Sequence, residues 1–191
     1  MKQVVFAGVD VGGRRKGFHY AVLSDDAITC VGGATAPSDV ADLLLRHGVR
    51  LTAIDSPRAP APNGERIRPC EREFMKEAIC NIRFTPDRAG LDANPTYYEW
   101  IDHGFELYRA CLDRGLAVVE CFPTASWTRW AGKRAGERRS RWTRDALSAQ
   151  GLRGVPSRTN QDVRDAIAAA LTAISHHDGR TQAFGDLVIP R

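Results

Sequence analysis

Val4-Val5-Phe6-Ala7-Gly8-Val9-Asp10-Val11-Gly12-Gly13-Arg14-Arg15-Lys16-Gly17-Phe18 is the stretch that decides the fold. An apolar run over 4–9 spells a buried strand that stops on an acid. Gly12, Gly13 and Gly17 then supply a turn, and a second apolar run over 18–23 resumes at once, so two neighbouring strands follow one another. A short third strand is predicted over 27–31. Pro37-Ser38 opens a helix, with Ser38 as N-cap, Val40, Leu43, Leu44 and His47 at helical spacing, and Gly48 as the stop.

Further along, 49–54 reads as a buried fourth strand ending in Asp55, and 116–120 as a fifth ending in Glu120. Residues 56–93 begin Pro-rich and irregular and turn helical over 70–80, which predicts an insertion over the sheet. Asn94-Pro95 starts a helix that runs to Gly115. The segment 132–158 is expected to carry short helices, one capped by Ser140 and closed by Gly151. Asn160 begins a long helix ending near Gly179, and 184–189 reads as a small edge strand. Three strands followed by alternating strand and helix predict a single α/β domain over 1–191, built on a central mixed sheet of five strands flanked by helices.

Composition agrees. With 191 residues, 43 % hydrophobic and 26 % charged, the chain can bury about 70 % of its unfolded surface, and disorder, collagen and coiled coil are excluded. No apolar stretch approaches the ~18 residues of a membrane span, and the start lacks the small-residue cleavage site of a signal peptide, so a cytoplasmic protein is expected. The five cysteines are odd in number and form no C-x-x-C pair, which suits a reducing compartment. A zinc set of Cys70, Cys80 and His103 matches no knuckle spacing.

In an α/β sheet, sites form beyond the carboxyl ends of the parallel strands, and here that rule selects Asp10, Asp55 and Glu120. The last long helix adds Asp162 and Asp165, three residues apart and so about 60° apart in azimuth, able to face one point. Ala166, Ala169 and Ala170 give that helix a slim surface for close packing. Converging carboxylates repel unless a cation fills the space. All-oxygen ligation suits Mg²⁺ or Mn²⁺, and two such ions about 3.5 to 4 Å apart clamp the oxygens of a phosphodiester displacement. Each acid also has a plainer reading. Asp10 and Asp55 suit turns, and Asp162 complements a helix dipole. Asp165 has Arg158 and Arg164 within reach along the chain, and Glu120 has the arginines of the basic segment. An arginine permanently neutralising the pocket would defeat the metal reading.

The charge of +4 is concentrated: eight cations against two acids lie between Gly132 and Arg158. Such a patch suits a polyanion. Arg138, Arg139, Arg141, Arg144 and Lys133 are the candidates for phosphate contact. Trp127, Trp130 and Trp142 are interleaved with them, with Trp127 expected in the core and stacking on unpaired bases as the other option.

Gly8-Val9-Asp10-Val11-Gly12-Gly13 with Gly17-Phe18 resembles the first hairpin of the RuvC-type Holliday-junction resolvases of the ribonuclease H-like superfamily. Asp162-Val163-Arg164-Asp165-Ala166 resembles their last catalytic helix. Over nearly the whole chain the closer resemblance is to the domain of unknown function 429 family, described as predicted nucleases of ribonuclease H-like fold. Ala53-Ile54-Asp55-Ser56-Pro57, Cys70-Glu71-Arg72-Glu73, the run from Val119 to Trp127 and Asn160-Gln161-Asp162 carry it. The resemblance implies the strand order 3-2-1-4-5 and a metal-dependent nuclease. Asp10, Asp55, Asp162 and Asp165 would be its metal ligands, with Asp55 standing where the resolvases place a glutamate. Glu120 has no clear resolvase equivalent. Two other classes stay open: a non-catalytic nucleic-acid-binding module, and an ATP-dependent phosphotransferase of the actin-like kind, which normally needs two such domains.

Overall fold

The computed structural model describes residues 3–191. Its sheet is built from β1 (Val5–Val11), β2 (Phe18–Ser24), β3 (Ala27–Ala34), β4 (Val49–Asp55), β5 (Val118–Cys121), β6 (Thr181–Phe184) and β7 (Leu187–Pro190). They lie in the order β3-β2-β1-β4-β5-β7-β6. The first three strands are antiparallel, while β1, β4, β5 and β7 run parallel to one another.

The expected sheet of five strands in the order 3-2-1-4-5 is therefore extended by two. The segment read as one small edge strand over 184–189 is a hairpin that turns at Gly185 and Asp186, where Gly185 takes φ +54. Its second arm, β7, joins β5 rather than lying at an edge, and all four of its residues are buried. A Phe-Gly-Asp-Leu step is a two-residue hairpin signal, hidden here because each arm has only four residues.

Seven helices flank the sheet among the described residues: α1 (Pro37–Arg46), α2 (Pro69–Lys76), α3 (Arg88–Ala93), α4 (Pro95–Leu112), α5 (Pro123–Ala131), α6 (Arg139–Ser148) and α7 (Gln161–His177). The alternation of β1 sorts them into two layers. Ala7, Val9 and Val11 face α1 and α4, where Val40, Leu44, Leu107 and Tyr108 complete one core. Phe6, Gly8 and Asp10 face the other way, toward α7, which packs through Ala166, Ala169, Ala170 and Ala173. Each fully buried Leu or Ile in these layers contributes about 1.5 to 3 kcal/mol.

Two caps differ from expectation. Ala36 is the N-cap of α1 because Pro37 takes the first helical position, which leaves Ser38 inside the helix. Arg138, not Ser140, precedes α6. Asn94 and Asn160 do cap α4 and α7, accepting from the backbone N–H of Tyr97 and Val163. The five cysteines are free. Instead of meeting cysteines, the buried His103 ring sits between the carbonyls of Gly12 and Thr35, which ties α4 to the β1–β2 turn. No helix among the described residues is long and apolar enough to cross a membrane.

Candidate active site

Asp10 is the last residue but one of β1, and the sheet register sets His19 of β2 on one side of it and Asp55 of β4 on the other. Registered neighbours share a face, so all three side chains project toward α7. What lets α7 come over them is Gly8, one pleat back. A Cβ built there would lie 2.1 Å from the Ala170 nitrogen and 2.2 Å from the Ala166 oxygen, so strand and helix touch backbone to backbone. Asp162 and Asp165, in the first turns of α7, then overhang the ends of β1 and β4.

Each carboxylate has its own surroundings. Asp10 is 7 % exposed, and its Oδ2 accepts no hydrogen bond. Burial and then the nearby Asp165 push its pKa up to about 7, against the opposing pull of Lys16. Asp55 is also pushed well above the usual carboxylate range, first by burial and then by Asp10. Asp165 is saturated with donors: Arg139 Nη2 at 2.9 Å, Trp127 Nε1 at 3.1 Å and Gln161 Nε2 at 3.0 and 3.1 Å. Burial nonetheless raises its pKa. Gln161 is in turn oriented by Arg164 and Thr143, which both donate to its Oε1. Asp162 accepts from Lys16 Nζ at 2.7 Å and lies 3.9 Å from His19 Nδ1.

Two cations, Lys16 and Arg139, therefore stand against four carboxylates. An arginine does touch the cluster, as the plainer reading of Asp165 anticipated, although the residue is Arg139 rather than Arg158 or Arg164. The neutralisation is partial. Arg139 and Lys16 have half-exposed side chains, and neither hydrogen-bonds Asp10.

Glu120 lies apart from the four. It is registered with Ile54, one residue off the Asp55 row, so the pleat turns it to the other face. There both of its carboxylate oxygens accept from the Arg68 guanidinium, and it also accepts the backbone N–H of Arg58 at 2.8 Å. Arg68 is buried and donates its Nε to Glu71 at 2.8 Å, while Glu71 accepts two further bonds from Thr85. Glu120 is thus an ion-pair partner, but for an arginine of the segment between β4 and α3 rather than of the basic segment.

Of the basic residues, Lys133, Arg138, Arg141 and Arg144 are exposed, and Arg141 makes only a 3.7 Å contact with Asp145. Trp127 is fully buried, in keeping with a core residue, and Trp142 is 7 % exposed; neither offers a ring face to a base. A cavity of about 1180 Å³ opens above the carboxylates, and its lining includes residues 78–83 together with Lys133, Arg134 and Arg139.

His19, Lys16 and Gln161 are site residues with no role assigned from the sequence, and Trp127, expected in the core, also donates to Asp165 from there. For His19 a signal existed. A hairpin centred between Arg14 and Arg15 pairs positions whose numbers sum alike, which puts residue 19 opposite residue 10.

Two solved structures share this architecture. Thermus thermophilus RuvC is 15 % identical with a TM-score of 0.54, covering 92 % of this chain and 97 % of that one. T. thermophilus RuvC in complex with Holliday junction substrate is 15 % identical with a TM-score of 0.55, covering 92 % and 96 %. The fold is thus ribonuclease H-like. No curated protein matches the sequence. A family model described as Protein of unknown function (DUF429) matches residues 8–188.

Proposed function

The chain belongs to the family described as Protein of unknown function (DUF429), and from that premise we propose that it is a metal-dependent nuclease hydrolysing phosphodiester bonds of nucleic acid. The observation that carries this reading is the buried Asp10 oxygen that has no partner, set among three further carboxylates of which Asp55 is its registered neighbour. An acid held near neutrality by burial and by other acids is an arrangement that a divalent cation relieves. Carboxylate oxygens suit a hard ion such as Mg²⁺ or Mn²⁺, and Asp10 and Asp162, with ligand atoms within 4.8 Å of each other, would hold it, with Asp55 and Asp165 beside them. Such an ion supplies Lewis acidity to a phosphoryl oxygen and lowers the pKa of water at neutral pH.

The remaining residues have roles of their own. Trp127 and Gln161 hold the Asp165 carboxylate in one orientation, leaving Arg139 free to trade it for a phosphate. Lys133, Arg138, Arg141 and Arg144 are exposed cations within twelve residues of one another along the chain, suited to the backbone of a polyanion. That one structural neighbour holds a Holliday junction supports nucleic acid as the partner.

The test is cleavage of single-stranded, branched and hybrid nucleic acids in Mg²⁺ or Mn²⁺. The wild type is expected to cut at least one of them, and Asp10→Asn to cut none. Equal turnover by Asp10→Asn and Asp165→Asn would overturn the assignment. Replacing Arg138, Arg141 and Arg144 with Gln is expected to weaken binding to all substrates and to reduce the salt slope by about three. The contacts of Arg139 with Asp165 and of Lys16 with Asp162 favour a second reading, a module that binds without turnover. Binding that persists in EDTA, with no cleavage in Mn²⁺, would select it.

A further inference from the structure

We propose that His19 completes a divalent-metal site with Asp10 and Asp162, and that this mixed nitrogen and oxygen set selects a first-row transition ion such as Mn²⁺ over Mg²⁺. The proposal rests on the metal reading above and adds to it a ligand and a preference that four carboxylates alone do not provide.

Three independent features converge on it. Asp10 and His19 are registered partners across the β1–β2 pair, so their side chains leave the same face side by side, where Asp162 comes down from α7. One ligand atom from each of the three residues lies within 4.8 Å of the others, and no other such group of His, Cys, Asp and Glu occurs among the described residues. Both Asp10 Oδ2 and His19 Nδ1 are buried and without a hydrogen-bond partner. A buried acceptor oxygen and a buried ring nitrogen left unpaired at the same spot are costly together, and a cation that takes both lone pairs removes the cost.

The spacing suits one ion. His19 Nδ1 is 3.9 Å from Asp162 Oδ2, too long for a hydrogen bond. It falls inside the range of about 3 to 4.4 Å that separates two ligands each bound at roughly 2.1 to 2.2 Å. The other oxygen of Asp162, Oδ1, is the one that accepts from Lys16, so the histidine and the lysine address different edges of that carboxylate. The Lys16 ammonium, 3.8 Å from Asp10 Oδ2, is the one other charged group facing the trio from the turn. A nitrogen ligand decides the preference. Mg²⁺ gives up water reluctantly and favours oxygen, whereas affinity at an N/O site rises along the first transition row.

The experiment uses the full chain stripped of metal, with no nucleic acid present. Mn²⁺ and Mg²⁺ affinities are measured by calorimetry, and the Mn²⁺ complex is examined by electron spin-echo spectroscopy for coupling to a directly bound imidazole ¹⁴N. The wild type is expected to show that coupling and to bind Mn²⁺ more tightly than Mg²⁺. In His19→Gln the ¹⁴N coupling is expected to vanish and Mn²⁺ affinity to fall about tenfold or more, with Mg²⁺ affinity changed less than about threefold. Bound Mn²⁺ without ¹⁴N coupling in the wild type would overturn the role of His19 while leaving the carboxylate site intact. The wild-type spectrum decides this even if the variant folds poorly. Unchanged affinities in a folded His19→Gln would overturn it equally, and a wild type that binds neither ion would remove the metal reading together with this one.

Discussion

Replacing Gly8 with Ala tests the backbone contact on which the site is built. In an ordinary strand that change stabilises, by roughly 0.5 to 1 kcal/mol, because alanine loses less backbone freedom on folding. Here the new methyl meets the Ala170 nitrogen at 2.1 Å and the Ala166 oxygen at 2.2 Å. Both are main-chain atoms of α7 and have no rotamer by which to move aside. Non-bonded heavy atoms settle near 3.5 Å, so the helix must retreat by about 1.4 Å or the strand must buckle. Overpacking of this kind costs about 1 to 3 kcal/mol, and the sign is therefore opposite to the intrinsic preference. The retreat also carries Asp162 and Asp165 away from Asp10. A misplacement of about 1 Å at a reacting centre costs on the order of a hundredfold in rate. Urea denaturation gives the stability term through its midpoint, and Mn²⁺ calorimetry gives the alignment term. A Gly8→Ala protein as stable as the wild type, with unchanged metal affinity, would refute the claim that α7 rests directly on β1.

Other perturbations address single residues. Because Asp10 titrates near pH 7 in the folded chain, against 3.8 for its ordinary value, the folded state holds its proton more tightly than the unfolded state does. The contribution of Asp10 to metal-free stability should therefore be fully present below about pH 4 and be lost as pH rises through about 7, by up to about 4 kcal/mol. Urea midpoints measured across that range should fall more steeply with pH in the wild type than in Asp10→Asn, and equal pH dependence in the two would refute the raised pKa. Glu120→Ala breaks a buried pair and strands part of the Arg68 charge, and should cost about 3 to 5 kcal/mol in denaturation with no change in metal affinity in the protein that remains folded. Lys16→Met removes the cation hydrogen-bonded to Asp162 and should raise Mn²⁺ affinity several-fold by calorimetry; a lower affinity would mean that the lysine assists the site.

The parts that could be read from the sequence were those with a local signature. Continuous apolar runs and glycine placed the first hairpin, Asn94 and Asn160 announced α4 and α7, and the small residues after Asp165 announced close packing. Four acids at element ends followed from these. What stayed hidden was pairing that depends on register or on distant partners. Glu120 ends an apolar run just as Asp55 does, yet it is paired with Ile54, and a single step of the pleat sends it to the opposite face. Arg68 and Glu71 lie in a stretch whose irregular start gives no period, so their burial and their link to β5 had no local sign. The Arg139 contact depends on where α6 begins, and there Ser140 misled, since an arginine precedes that helix without any side-chain cap.

The Arg68 bridge also fixes how the segment after β4 is held to the sheet. One guanidinium joins Glu71, within the polypeptide excursion after β4, to Glu120 on the central sheet, and all three are almost sealed from water. Prising that excursion off would carry Arg68 and Glu71 away together and leave the Glu120 carboxylate of the sheet without its partner, a penalty of several kcal/mol. That part of the cavity lining is accordingly a fixed jamb rather than a hinge. Lys133 and Arg134, on the lining of the same cavity, stand open to solvent where a charged chain would arrive.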